Sequence, residues 1–366
     1  MNLSIGIVGM PNVGKSTLFN ALLKKQSAFV ANYPFATIEP NIGVVPVPDE
    51  RLKKLTEITQ AEHKMSALPP ILPATVSFVD IAGLVKGAAQ GEGLGNKFLS
   101  HIREVSLIAH VVRAFEDENV VREGSKNAKD DYQVINTELI LADLETLNKQ
   151  SEPRKNVTKE DLHRWEAVKK LKTELDKGFA ARFVPLTKEE EYSIQDLHLI
   201  TMKPEIIILN VSEEFNFISG KEPILINSLE GEDESYIYIS AKLENELVSL
   251  SEDEQKEYLR DLGLPYSGLE RLIKKSYDKL GLISFLTCGE KEVRAWTIKK
   301  DSTALNAAGE IHTDFMKKFI KAEVVHYSDF VANNGWKGSR EHGKALLEGK
   351  DYVMQDGDVT EFKIGS

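Results

Sequence analysis

Apolar positions along the chain switch between a period near two and a period near three and a half. Residues 3–8 (Leu-Ser-Ile-Gly-Ile-Val) form a short apolar run that predicts a buried strand, and residues 15–25 carry the spacing of an amphipathic helix. A loop-like stretch follows from Gln26 to Asn41, and strand signals return at 42–47, 74–80, 106–114, 205–211 and 235–240. Strands alternating with helical stretches predict a doubly wound, mostly parallel α/β sheet covered on both faces. The gap between residues 114 and 205 is too long for a connection and predicts an insertion.

That gap reads as helix. Ile140, Leu144 and Leu147 share one face, and Trp165, Val168, Leu171 and Leu175 make a second stripe. Pro153 and its charged neighbours connect the two, so the expectation is an antiparallel coiled-coil arm, with a short helix near 187–200 returning the chain. Helical signals at 251–261 and 268–280 close the first domain, and Gly281 marks its boundary. Beyond it, β runs at 283–287 and 293–298, a helix around 308–320 and a last strand after residues 355–358 predict a small α+β module. Its Lys299, Lys300, Lys317, Lys318 and Lys321 form the most basic local surface of the chain, read first as a solvated face.

Composition narrows the class. The 366 residues suffice for two or three domains. A formal charge of -11 opposes non-specific attraction to nucleic acid or anionic lipid, so any RNA contact is expected to be local. One cysteine, Cys288, cannot make an intramolecular disulfide. The chain enters its first strand without a charged-then-apolar leader, and its longest uncharged apolar run, Leu68 to Val79, is broken by prolines. The expectation is a cytoplasmic protein with no membrane partner.

The chemistry concentrates in Gly9-Met10-Pro11-Asn12-Val13-Gly14-Lys15-Ser16-Thr17, which fits the phosphate-loop pattern between a strand and a helix. Backbone N–H groups from Asn12 to Thr17 and the helix dipole suit a phosphate chain, with Lys15 reaching the outer phosphates and Ser16 ligating Mg²⁺. Asp80-Ile81-Ala82-Gly83 ends a strand where the carboxylate holds the magnesium through water and the Gly83 N–H meets the γ-phosphate. Thr37 is placed to give the metal a second hydroxyl. Asn210-Val211-Ser212-Glu213 stands where a base-reading motif belongs, and Ser240-Ala241-Lys242 where a backbone N–H completes the base pocket.

In this order the motifs resemble a GTPase-type phosphate-loop domain, and specifically the YchF / Obg-like ATPase family. Gly-x-Pro-Asn-Val-Gly-Lys-Ser-Thr, Asn-Tyr-Pro-Phe-Ala-Thr-Ile-Glu-Pro-Asn and Asn-Val-Ser-Glu carry the likeness, which covers the whole chain. The resemblance implies a nucleotide-binding domain at 1–130 and 205–280, a helical arm at 131–204 and a ubiquitin-like (β-grasp) TGS domain at 281–366. It also implies Mg²⁺-dependent hydrolysis of ATP at least as well as GTP, and association with a ribosome or ribosomal subunit. Two other readings stand beside this one: a nucleotide-gated ribosome-binding module with incidental hydrolysis, and a GTPase of the Era or Obg type.

Three residues sharpen the mechanism. The position after Asp-x-x-Gly that places the attacking water in Ras-like enzymes is Leu84, which has no polar atom. By the family likeness His101 takes that role, beyond a loop loosened by Gly83, Gly87, Gly91, Gly93 and Gly95. Asn12 either ligates a K⁺ that stands in for an arginine finger or hydrogen-bonds across its own turn. At the base, Glu213 is one methylene longer than the aspartate that reads guanine, and Val211 replaces the lysine that covers the ring. Asn210 is expected to face N7 or the 6-amino group, with the Val211 backbone at the base edge.

Overall fold

The computed structural model describes residues 4–32, 41–81, 94–116, 127–154, 157–215 and 236–365, with backbone alone at 28–32 and 94–97. The chain starts with β1 (Ser4–Val8), α1 (Lys15–Asn32), β2 (Ile42–Pro46), α2 (Arg51–His63), β3 (Ile71–Leu72) and β4 (Thr75–Asp80). Next come α3 (Leu94–Glu104), β5 (Leu107–Arg113), α4 (Ala128–Asn148), α5 (Lys159–Leu175), α6 (Lys188–Ser193) and β6 (Glu205–Asn210). They are followed by β7 (Tyr236–Ile239), α7 (Ala241–Leu247), α8 (Glu252–Asp261) and α9 (Gly268–Lys279). The last stretch holds β8 (Leu282–Cys288), β9 (Val293–Lys299), α10 (Ala304–Ile311), α11 (Thr313–Lys317) and β10 (Phe319–Val325). It ends with α12 (Tyr327–Ala332), α13 (Trp336–Glu341), β11 (Leu346–Glu348) and β12 (Val359–Ile364).

These elements form two compact units, one of Leu3–Val44 with Ser77–Arg271 and one holding Val45–Val76 with Leu272–Ser366. The first unit is built on a sheet ordered β2-β4-β1-β5-β6-β7. The pairs β4/β1, β1/β5, β5/β6 and β6/β7 all run parallel. Every residue of β5 and β6 is buried, as expected for strands covered on both faces. α1 runs on to Asn32, past the end expected at 25, because nothing between Lys15 and Asn32 breaks a helix and Pro34 is the first residue that would. The expected loop from Gln26 is therefore helical over its first residues, with Gln26 itself buried.

In the insertion, Ile140, Leu147, Val168, Leu171 and Leu175 share one apolar cluster with Ile194, Leu197 and Leu199, and Leu144 and Trp165 flank it. Thr158 and Asp161 close a reciprocal capping box at the start of α5. The base of the insertion is tied to the sheet through Glu205. One of its oxygens meets His110 Nδ1 at 3.0 Å, and the other accepts from Tyr132 Oη (3.2 Å) and from Arg182 (2.9 Å). Burial alone would raise this carboxyl. Arg182, His110 and Tyr132 outweigh it and hold Glu205 at about 2.

The second unit has a sheet ordered β11-β10-β12-β8-β9-β3. An antiparallel β8–β9 hairpin, a helical crossing, and β12 parallel to β8 give the strand order of a β-grasp with β3 added at one edge. Residues 45–76 were expected in the nucleotide-binding domain, and here they belong to this unit. β3 pairs with β9, Arg51 donates to Asp356 (2.7 Å), and Glu62 accepts the N–H groups of Trp336 (3.1 Å) and Lys337 (2.6 Å). The single helix expected at 308–320 is instead two short ones, α10 and α11, parted at His312, whose backbone is extended and whose ring accepts from the Asp314 N–H.

Gly335 (φ 108°) leaves no room for a Cβ beside Glu62, so the α13 start and Glu62 are mutually fitted. Glu62→Ala should expose the α13 N-terminus and cost about 1–2 kcal/mol. Faster hydrogen exchange at the amides of Trp336 and Lys337 would report it.

Candidate functional site

β1 delivers the chain at Val8 into a turn that only certain residues tolerate. Gly9 (φ 153°) and Gly14 (φ 99°) are both too close to their neighbours for a side chain: a Cβ on Gly9 would meet the Val111 carbonyl, and one on Gly14 would meet the Asn210 amide. Asn12 also has positive φ, at 59°, which asparagine accepts more readily than most residues. α1 begins at Lys15 immediately after this turn, and the Leu18 N–H bonds back to the Gly14 carbonyl at 3.0 Å.

The turn opens on a cavity of about 460 Å³. Asn12, Gly14, Lys15, Ser16 and Thr17 line one end, and Asn210, Val211, Ser212, Glu213, Ser240, Ala241 and Lys242 line the other. Ser16 and Asn12 are exposed, whereas Lys15 and Val13 are buried. One side chain joins the two ends. Asn210 donates from Nδ2 to the Val13 carbonyl (2.8 Å) and accepts at Oδ1 from the Ala241 N–H (2.9 Å). The Val211 N–H is taken by the Ile239 carbonyl at 2.9 Å. Asn210 therefore keeps one N–H and one lone pair for a base, and Val211 keeps only its carbonyl. Glu213 is turned to Lys242, whose Nζ lies 2.7 Å from its Oε2.

The expected residues divide into three groups. Asn12, Gly14, Lys15, Ser16, Thr17, Asn210, Val211, Glu213, Ser240 and Ala241 share the cavity, with Val13 one bond away through Asn210. Asp80 ends β4 beside β1, with Ile7 opposite it in register. His101 is on the exposed face of α3 and is not among the cavity-lining residues. Thr37, Gly83, Leu84, Gly87, Gly91 and Gly93 lie outside the described residues. Sequence reasoning missed Phe115 and Glu116, which also line the cavity. Their signal was positional: they follow β5, and in parallel sheets ligands collect beyond the carboxyl ends of the strands.

Comparison with known proteins places the whole chain among relatives. A family model described as "50S ribosome-binding GTPase" covers residues 4–149, and YchF-GTPase_C, described as a protein of unknown function (DUF933), covers 282–365. The chain is 48% identical over 371 residues to a Bacillus subtilis protein named "Ribosome-binding ATPase YchF", with 99% of each chain covered. It is 46% identical to the protein of that name from Haemophilus influenzae, again over 99% of each. A structure titled "Structure of the Schizosaccharomyces pombe YchF GTPase" matches with TM-score 0.85 and 39% identity, covering 99% of this chain and 98% of that one. The chain belongs to the YchF family.

In this YchF-family chain burial displaces the pKa of two facing charged groups beside the turn at 9–14. Lys15 donates to the Met10 carbonyl at 2.6 Å, and burial brings its ammonium down to about 8, with Asp80 opposing the shift. Burial likewise raises Asp80, and Lys15 pulls it back. Each group is thus short of opposite charge, which a polyphosphate with a divalent cation would supply. A serine hydroxyl and a carboxylate are the oxygen donors that a hard cation such as Mg²⁺ takes. Among the described residues no helix is long and apolar enough to cross a membrane.

The expected role of Lys15 as a phosphate ligand needs its protonated form, which burial confines to pH values below about 8, so ATP affinity measured by calorimetry should fall by about tenfold between pH 7 and 9. The sign for stability is the reverse: the unfolded lysine binds more protons between 8 and its ordinary 10.5, so this residue makes the empty fold more stable as pH rises through that window. Asn210→Ala would leave the Val13 carbonyl and the Ala241 N–H unpaired. It should weaken nucleotide binding by about tenfold, through loss of about 1–3 kcal/mol.

Proposed function

We propose that this chain hydrolyses ATP to ADP and phosphate and uses the cycle as a ribosome-associated switch in the cytoplasm. One observation carries the reading: a single cavity runs from the phosphate loop to the turns at 210–213 and 240–242. Lys15 and the loop N–H groups take the phosphates, and Ser16, Thr37 and Asp80 (through water) hold Mg²⁺. When bound, that ion would offset charge on the β- and γ-phosphates. His101 orients the attacking water in place of the apolar Leu84, and the Gly83 N–H receives the γ-phosphate. Asn12 is the residue placed to ligate K⁺ if the site uses one. The 281–366 span is assigned as a TGS domain on the family likeness, and the β-grasp strand order supports it. Ribosome association comes from the relatives, whose names say "ribosome-binding".

The base preference rests on Glu213. Guanine is read by a carboxylate accepting two N–H groups, and here the carboxylate is engaged by the Lys242 ammonium. An adenine has no such donors to lose by this, so ATP is bound at least as well as GTP. The names of the relatives include both ATPase and GTPase, and direct measurement separates them.

Single-turnover hydrolysis of ATP and GTP, each in K⁺ and in Na⁺ at matched ionic strength, tests the whole reading. ATP should turn over at least as fast as GTP, and His101→Ala should slow ATP hydrolysis by about a hundredfold while ATP still binds. A tenfold preference for GTP would remove the base assignment, an unchanged His101→Ala rate would remove the water-positioning role, and equal rates in the two salts would remove K⁺. Ribosomes that bind the protein in a nucleotide-dependent way without stimulating turnover would favour the gated-module reading.

A further inference from the structure

α3 presents Phe98, Leu99 and Ile102 to the core and His101 to the outside. The last carbonyls of any helix lack partners within it. Here a residue far along the chain supplies them: Lys203 Nζ donates to the Arg103 carbonyl at 2.9 Å and also to the Val105 carbonyl. The Arg103 side chain points into the insertion. Its guanidinium donates to the His198 carbonyl (3.0 Å), to Thr146 Oγ1 (2.9 Å) and to the Ala142 carbonyl (3.5 Å). Ala142 and Thr146 lie on α4, the first helix of the insertion. His198 and Lys203 lie on the segment that brings the chain from the insertion back to β6.

A third residue locks those two parts of the insertion together. Asp143 on α4, wholly buried, accepts the N–H of Ile200 (2.8 Å), the N–H of Thr201 (2.7 Å) and the Thr201 hydroxyl (2.7 Å). The end of α3 is thus held between α4 and the returning segment of the insertion by charged donors on backbone carbonyls and the Thr146 hydroxyl. Charge-assisted bonds of this kind are stronger and more directional than exposed ion pairs. His101 is two residues from Arg103, so whatever fixes Arg103 fixes the turn that carries His101.

We propose that Arg103 and Lys203 are positioning residues for ATP hydrolysis: they fasten the α3 turn bearing His101 to the insertion, so that the insertion sets where His101 stands. The role rests on the water-positioning reading of His101. A group that aligns a water must be held to a fraction of an ångström, and a small displacement costs rate without costing binding. Displacement of the insertion is transmitted through this knot to the catalytic step.

The test is a double-mutant cycle by single-turnover ATP hydrolysis, with nucleotide affinity from calorimetry and folding from thermal melting. Lys203→Met and Arg103→Ala should each lower the hydrolysis rate by about tenfold and leave the affinity for a non-hydrolysable ATP analogue within about twofold. In the His101→Ala background they should cause no further loss, because the group they position is gone. Lys203→Arg should restore most of the rate. Thr146→Val, which removes only one acceptor of Arg103, should give a smaller loss of about threefold in a chain that melts normally, and it decides the matter if the larger changes do not fold. Wild-type rates in folded Lys203→Met, Arg103→Ala or Thr146→Val alongside a slow His101→Ala would overturn the positioning role alone. Losses that multiply with His101→Ala would overturn it too. A wild-type rate in His101→Ala would instead remove the reading of His101, and the positioning role with it.

Discussion

The site depends on the side-chain amide of Asn210. It closes a bridge between two turns that follow different strands, taking the Val13 carbonyl with its nitrogen and the Ala241 N–H with its oxygen. The strictness at Gly14 is the other side of that bridge, because any side chain there would occupy the space of the amide. The parallel register of β5, β6 and β7 makes the bridge possible by ending those strands at one edge. A buried polar group that is satisfied on both sides specifies one arrangement, and one left half-satisfied costs more than it contributes. Much of Asn210's bonding capacity is spent on shaping the pocket, which leaves a base only its second N–H and second lone pair.

The insertion is held by similar means at greater electrostatic cost. Glu205 is buried beneath it, and a lone buried carboxylate would not stay ionised. Arg182, from the returning part of the insertion, and Tyr132, from α4, make the charge tolerable, and His110 contributes from the neighbouring strand. Such clusters add little net stability against an apolar substitute, yet removing one member is expensive. Their effect is to define where the insertion's base meets the sheet. The knot of Lys203, Arg103 and Asp143 extends that definition to the end of α3.

The sheet of the first unit was legible because each of its strands is a short apolar run and the phosphate loop fixes the first crossover. Most of the cavity was legible for the same reason: all its lining residues but Phe115 and Glu116 belong to motifs at strand ends. What escaped were elements whose reason lies elsewhere in the chain. α2 and β3 make sense only once Arg51 meets Asp356, Glu62 meets the α13 start and Ile71 pairs with Val293. No local pattern near residue 60 announces a partner near 335. Phe115 and Glu116 carry no motif and count only because β5 ends beside β6. The break at His312 is a matter of a ring nitrogen accepting a nearby N–H, which propensity alone does not register.

Residues 45–76 interrupt the nucleotide unit in sequence. The chain leaves that unit after Val44 and re-enters it at Ser77, so Thr37 and Asp80, the two residues proposed beside Ser16 for magnesium, are joined in sequence through a piece of the other unit. β4 carries this connection straight into the site: it runs parallel to β1 with Asp80 opposite Ile7, and the Asp80 N–H bonds to the Asn41 carbonyl at 3.0 Å. Asn41 in turn has φ 62°, the left-handed conformation that asparagine tolerates, where the chain turns into β2. The Asp80 backbone is therefore held by β1 on one side and by the turn at Asn41 on the other. The raised pKa of Asp80 comes chiefly from partial burial, with Lys15 opposing the shift, since the packing around the end of β4 takes the carboxyl partly out of water.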